Sequence, residues 1–331
     1  MTSLKIALAA GVLLVSGLAF AQNPIIIKFS FVTPADSSKG MAAAYFKKQA
    51  EAKTGGRVKV ELYPNSTLFK DKEELEALNM GAVQMLAPTL GKFGPMGARS
   101  FELFDLPFLF NDYNDVHKIT EGPIGRQMLD SLGDKGIKGL AFWDSGFKQM
   151  NANRPLKTPA DFRGLKMRIF SSKVLDAQMR ALGANPQVLA ASEIYSAMQT
   201  GLVDGGENVE AIFYKFKFYE VQPYLTISNH GYTGYGVVVN KRFWDGLPAD
   251  VRTQLDSAMK ASTAYANQLA LKENQDGLAA VRKSGKTQIY ELTPAERATW
   301  KKAVIKVHAD SAGRIGAPLL QATYKELNFR P

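Results

Sequence analysis

The chain contains no cysteine. That excludes disulfides, zinc–thiolate sites and cysteine nucleophiles, so 331 residues must be held together by a hydrophobic core alone. It also excludes lipid attachment through an N-terminal cysteine. Histidine is scarce: His117 and His308 sit in polar, helix-like surroundings, His230 follows Ser228-Asn229, and none has the i, i+4 partner or glutamate spacing of a zinc site. Phosphate-loop, dinucleotide and G-x-S-x-G patterns are missing, and Trp143-Asp144-Ser145-Gly146 lacks the glycine two residues before Ser145. No run of five like charges occurs, and aromatics are not interleaved with basic residues, so nucleic acid is not an expected partner. Repeats, low-complexity segments and Pro/Ser-rich linkers are absent too, which favours lobes built by a chain crossing back and forth. After the first twenty-one residues no segment approaches the roughly 20 apolar residues a bilayer-spanning helix needs.

Those first residues have the anatomy of an export signal. Lys5 supplies a positive start, Ile6 to Phe20 is almost uncharged and apolar, and Ala19-Phe20-Ala21 offers a small-x-small cleavage site. Residues 1–21 are therefore expected to be removed near Ala21, placing the mature chain in the periplasm of a double-membraned bacterium. Losing Lys5 takes the net charge from +10 to +9. The basic residues are scattered among acids, as at Lys47-Lys48, Lys70 to Lys72 and Lys301-Lys302, and read as solvated faces that also steer small anions. A mature chain of this length exceeds one ordinary core, so two lobes with a cleft between them are expected.

Strand and helix patterns alternate. Ile25 to Phe31 reads as a strand, Gly40 to Lys53 as a helix, Val58 to Tyr63 as an alternating strand, and Asp71 to Met80 as an amphipathic helix. Gly139 to Trp143 and Leu165 to Phe170 read as strands, Lys173 to Leu182 and Ser192 to Thr200 as helices. This is the α/β signature of open sheets with crossover helices. Between Pro248 and Lys283 there is no further proline and one glycine, Gly277, and apolar residues recur at helical spacing. That element would be about 50 Å long, enough to brace both lobes.

Two constellations carry chemistry. In Leu165 to Phe170, alternation puts Leu165, Met167 and Ile169 on one face and Arg168 on the other. A guanidinium stays charged and donates two parallel hydrogen bonds to a carboxylate, although a solvated arginine gives the same spacing. Gly205-Gly206-Glu207-Asn208 reads as a turn in which Asn208 either stabilises the backbone or reaches a ligand oxygen.

Several longer stretches are specific: Phe147-Lys148-Gln149-Met150-Asn151-Ala152-Asn153-Arg154-Pro155-Leu156, Phe162-Arg163-Gly164-Leu165-Lys166-Met167-Arg168, and Ser192-Glu193-Ile194-Tyr195-Ser196-Ala197-Met198-Gln199-Thr200-Gly201-Leu202-Val203-Asp204-Gly205. Ser228-Asn229-His230 and Asn240-Lys241-Arg242-Phe243-Trp244 extend them. Through nearly the whole mature length the chain resembles the solute-binding subunits of tripartite ATP-independent periplasmic (TRAP) transporters, particularly the C4-dicarboxylate-binding DctP type.

The resemblance implies a two-lobed α/β periplasmic binding protein with a hinge, open mixed sheets and a long helix spanning both lobes. It would bind a small organic acid, most simply succinate, malate or fumarate, and deliver it to the membrane permease subunits. By the same resemblance, Arg168 makes the bidentate contact with a ligand carboxylate, Asn208 bonds the same region, and Lys148 stands where a second cation is placed. Thr89, Ser171 and Tyr235, the last on a strand Tyr235 to Asn240, match pocket-lining positions. Ala191 stands where many relatives have phenylalanine, which would leave room for a longer or bulkier acid. Asp204 and Glu207 are expected to serve capping and turn roles. Lobe I is expected over 22–145 plus 234–273 and lobe II over 146–233 plus 274–331. No cofactor, metal or catalysis is implied, and a monomer is the expected state. A periplasmic enzyme acting on organic acids and a binding protein for a chemoreceptor are the rival readings.

Overall fold

The computed structural model describes residues 23–331, and the expected signal at 1–21 lies outside the described residues. Strand β1, Ile25–Ser30, buries Ile27 and Phe29, and strand β2, Val58–Tyr63, buries Val58 and Val60 while Lys59 and Glu61 face solvent. They pair in parallel, with helix α1, Ser38–Lys53, as the crossover. Its N-terminus is capped by Ser37, whose hydroxyl accepts the Gly40 N–H. Helix α2 is Glu74–Asn79, shorter than the expected Asp71 to Met80: residues 71–73 form turns before it, and the Asp71 carboxylate is bonded to Lys92 and the Ala191 N–H. Strand β3, Met85–Leu86, lies parallel to β1 on its other edge.

Two long strands dominate the middle: β4, Ile137–Ala152, and β8, Tyr224–Asn240. Both outrun their expected lengths. Their polar stretches, around Lys148-Gln149 and Ser228-Asn229-His230, look like loops in sequence but are partnered in the fold, with Lys148, Gln149, Ser228 and His230 buried and Asn229 exposed. Strands β5 (Lys166–Ile169), β6 (Asn185–Val188), β7 (Gly205–Asn208) and β9 (Gln288–Glu291) complete a mixed sheet in the order β2-β1-β3-β8-β4-β7-β5-β6, with β9 beside β8. Gly205 to Asn208 is thus a strand between β4 and β5, not the expected turn. A Cβ on Gly205 would lie 2.1 Å from the Asn151 carbonyl oxygen, so close strand approach, not turn geometry, demands that glycine.

The arrangement is two-lobed. β3 pairs with Val238 and Val239 near one end of β8, whereas β7 and β9 pair near the opposite ends of the β4–β8 ribbon. Register slips between Asp144 and Gly146, and again between Lys148 and Met150, mark the crossing from one half to the other. Phe29, Phe46 and Trp143 pack on the first half, and Met167, Ile169 and Trp300 on the second.

The long helix Ala249–Ser284 runs across both, about 54 Å at about 1.5 Å per residue. Val251, Leu255 and Met259 enter the core with Phe29, while Val281 enters the one with Phe213 and Phe218. Each fully buried anchor of this kind contributes about 1.5–3 kcal/mol. Gly277 is where this helix meets the helix Glu210–Lys215: a Cβ there would come within 2.9 Å of Ala211 Cα. Three residues earlier, Asn274 donates to the Ser145 carbonyl and accepts the Ala211 N–H, tying the crossing point to the second half.

His308 departs from its expected polar surroundings. It is 1% exposed, stacked against Phe329, and bonded to the Tyr324 hydroxyl and Pro107 carbonyl. His117 remains half-buried and bonds Asp144 Oδ2 at 2.7 Å.

Candidate functional site

Between the halves lies a cavity of about 680 Å³. Thr33, Lys39, Asp71, Thr89 and Lys92 line one wall, Arg168, Phe170, Ala191, Asn208 and Ile212 the other, and Ser145, Lys148 and Tyr235 come from the crossing strands. Six of the seven sequence-predicted site residues therefore meet here. Ser171 does not: it lines an adjoining cavity of about 1010 Å³, with Asp71, Lys92, Phe170, Val188 and Ala190.

Arg168 reaches the cavity because its neighbours Met167 and Ile169 are locked into the core on the opposite face of β5. Its Nε and Nη2 both donate to the Leu189 carbonyl, at 3.1 and 2.8 Å, which fixes the plane of the guanidinium and leaves its other N–H groups without a partner among the described residues. Burial lowers its pKa to about 10 against the pull of Asp71 and Glu207, so it stays a cation at physiological pH.

Among the described residues, Asn208, at the end of β7 and opposite Gln149, has no partner for its buried Nδ2. Thr89, bridged to Tyr235 in the backbone, has none among them for its buried Oγ1. A buried polar group without a partner costs about 1–3 kcal/mol, so two on facing walls point to something that fills the space. Tyr235 bonds Ser145 through its hydroxyl at 3.0 Å, and burial pushes its phenol pKa up.

Lys148 is already engaged. Its Nζ lies 2.7 Å from Glu207 Oε1, both side chains being 2% exposed, and the other Glu207 oxygen takes His230 Nε2 at 2.9 Å. Ser228 Oγ, 2.8 Å from His230 Nδ1, ends the chain. Burial works against a charged Glu207, but Lys148 and the His230 hydrogen bond outweigh it and hold the pKa at about 2. Burial also lowers the pKa of His230, against the pull of Glu207. Glu207 is therefore an internal counter-ion, not the turn residue expected. Asp204 likewise departs from the expected capping and turn role: its carboxylate accepts the Lys166 N–H and Asn153 Nδ2, 38 and 51 residues away, and so ties β5 and the end of β4 to the start of β7.

Lys39, Asp71 and Lys92 were not singled out from sequence. Lys39 carried a signal: it precedes Ala42, Ala43 and Phe46, all buried, by three, four and seven positions, and so lies on the apolar face of α1. Lys92 pairs with Asp71 and with Glu74. Burial favours the neutral form of Asp71, yet Lys92 holds its pKa below the usual value. Its Oδ2 accepts the Ala191 N–H at 2.8 Å, joining the two walls.

The model of the family described as bacterial extracellular solute-binding protein, family 7 (DctP) matches residues 29–314. The chain is 58% identical over 300 residues to the C4-dicarboxylate-binding periplasmic protein DctP of Rhodobacter capsulatus, covering 91% of this chain and 90% of that one. A TRAP periplasmic solute-binding protein from Shewanella oneidensis, solved with bound succinate, superposes with a TM-score of 0.90 at 39% identity, over 92% of this chain and 100% of the other. Another from Pseudomonas aeruginosa, with bound L-malate, gives 0.85 at 41% identity, over 87% and 100%. A buried arginine facing orphaned polar groups across a two-lobed cleft, together with a match through nearly the whole described chain, shows that this protein belongs to the DctP family of extracellular solute-binding proteins, which serve transport.

Proposed function

We propose that the mature protein, freed of residues 1–21 by cleavage near Ala21, works in the periplasm as a non-catalytic binding subunit. It captures a C4-dicarboxylate and hands it to the membrane permease of a TRAP transporter. The observation that carries this reading is the buried Arg168 fork facing the cavity with unbonded N–H groups, beside the orphaned Asn208 amide. One ligand carboxylate lies on Arg168 and Asn208. The rest of the molecule extends toward Thr89 and Tyr235 on the far wall, and relatives with bound succinate and malate support a four-carbon span.

Lobe I in this reading is 22–145 plus 234–273 and lobe II 146–233 plus 274–331, with the hinge at the register slips around Gly146 and Thr233. Closure brings Asp71 to Ala191 and shuts out water, so an anion held by both walls favours the closed population the permease reads. Charge-assisted hydrogen bonds contribute about 1.5–3 kcal/mol each, and micromolar binding needs about 8 kcal/mol, so several such contacts suffice after ordering costs.

A thermal-shift screen of the mature protein against organic acids tests the reading, since a ligand that binds only the folded state raises the melting temperature. Succinate, malate or fumarate is expected to give the strongest shift and to be recovered chemically unchanged. Silence from all three beside a shift from a longer or aromatic acid would overturn the C4 assignment and transfer the pocket to the bulkier ligand that Ala191 leaves room for.

A further inference from the structure

Lys39 is 2% exposed, yet its Nζ makes one hydrogen bond, to the Ala87 carbonyl at 3.0 Å, and otherwise rests 3.8 Å from the centroid of the Tyr235 ring. It lines the cavity on the wall facing Arg168. The charged and titratable groups around it are Glu74 on α2, Asp71 before it, Lys92 beyond Thr89, Tyr235 on β8, and Glu273 on the long helix packed against α1. Each of the three acids is engaged elsewhere. Lys92 takes Asp71 and Glu74, while Glu273 accepts the Ser38 N–H and pairs with Lys215. Among the described residues no carboxylate forms an ion pair with Lys39, in contrast to Lys148, which Glu207 neutralises.

We propose that Lys39 is the cation lobe I presents to the second carboxylate of a dianionic ligand, and that it takes up a proton from solvent as that ligand binds. The chemistry is one proton added to a neutral amine, supplied by buffer, with no other bond made or broken. Burial lowers the Lys39 pKa to about 7, with Glu74 opposing and Lys92 reinforcing the drop, so near neutrality a fraction of the molecules carry the amine. A carboxylate arriving within hydrogen-bond reach favours the ammonium and pulls that fraction to the charged form. The consequence is a binding subunit whose affinity for a dianion declines as the periplasm becomes alkaline. The inference rests on the C4-dicarboxylate reading.

Isothermal titration of mature wild-type protein with succinate, in two buffers of different ionisation enthalpy, reads the proton count directly. Near pH 8, where succinate is fully ionised, uptake of about one proton per succinate is expected, and above that pH the Kd should rise about tenfold per pH unit. Lys39→Arg, which keeps its charge, should bind with no uptake. Lys39→Met should bind more weakly, with a Kd independent of pH over this range. Succinate binding with heats identical in the two buffers would overturn the inference and leave the C4 reading standing, as would undiminished uptake in Lys39→Met. No heat and no thermal shift with succinate would overturn the C4 reading and the inference with it.

Discussion

The Ala191 N–H donates to Asp71 Oδ2 at 2.8 Å, a hydrogen bond between residues 120 positions apart that joins the two walls of the cavity. This contact sits near Arg168, whose charge also acts on Asp71. Asp71→Ala should therefore let the lobes reopen sooner. Succinate release is expected to accelerate about tenfold or more, since a hydrogen bond to a charged group contributes about 1.5–3 kcal/mol. Stopped-flow displacement measures it, and an unchanged release rate would mean that other contacts hold the walls together.

Asn208 and Arg168 should separate binding from stability. Asn208→Ala removes a buried donor that has no partner among the described residues, so the melting temperature without ligand should stay level or rise while succinate affinity drops about tenfold. Arg168→Lys keeps a charge but loses the planar fork, and is expected to raise the Kd by about two orders of magnitude. Calorimetry and a melting curve on the same preparations check both, and retained tight binding in Arg168→Lys would remove the bidentate contact.

Lys148 is predicted to matter first for the fold. Lys148→Met leaves the Glu207 carboxylate buried without its cation, at a cost of about 3–5 kcal/mol measurable by urea unfolding. The pair also has a pH signature. The folded-state pKa of Glu207 is depressed to about 2 from 4.5, so its stabilisation is complete above pH 4.5 and is lost as pH falls toward 2. A Lys148→Met protein of normal stability that no longer binds succinate would instead make Lys148 a ligand contact.

His308 sets a second acid limit. Burial lowers its pKa from 6.5 to about 4, so the unfolded chain takes up a proton before the folded one does. Stability is then lost as pH falls from 6.5 toward 4, by about 3 kcal/mol. His308→Gln should flatten the stability profile over that interval in urea titrations, and an unaltered slope would assign the acid sensitivity to other groups.

Much of the architecture was legible in local patterns. The alternation of β2 and the proline-free stretch after Pro248 appear in the fold within a residue or two of their expected limits. The period of two in Leu165 to Phe170 was enough to turn Arg168 away from Met167 and Ile169. The long strands were harder to read. Lys148, Gln149, Asn151, Ser228 and His230 are polar, and polar residues mark a strand interior only when their partners are known. Gln149 illustrates this: its amide bonds Glu210, Asn229 and the Ser228 N–H, all at least sixty positions away.

The sequence by itself determined the alternating α/β order, the export-signal pattern, the long brace and the face on which Arg168 stands, because propensity, periodicity and side-chain direction are local properties of the chain. Only the tertiary structure decided which cations are free to meet an anion. Lys148 and Lys39 look alike as residues, but Glu207 comes within 2.7 Å of one through the pairing of β4 and β7, while the other is left with a carbonyl and an aromatic face. Charge compensation depends on distances between remote segments, which no local pattern encodes.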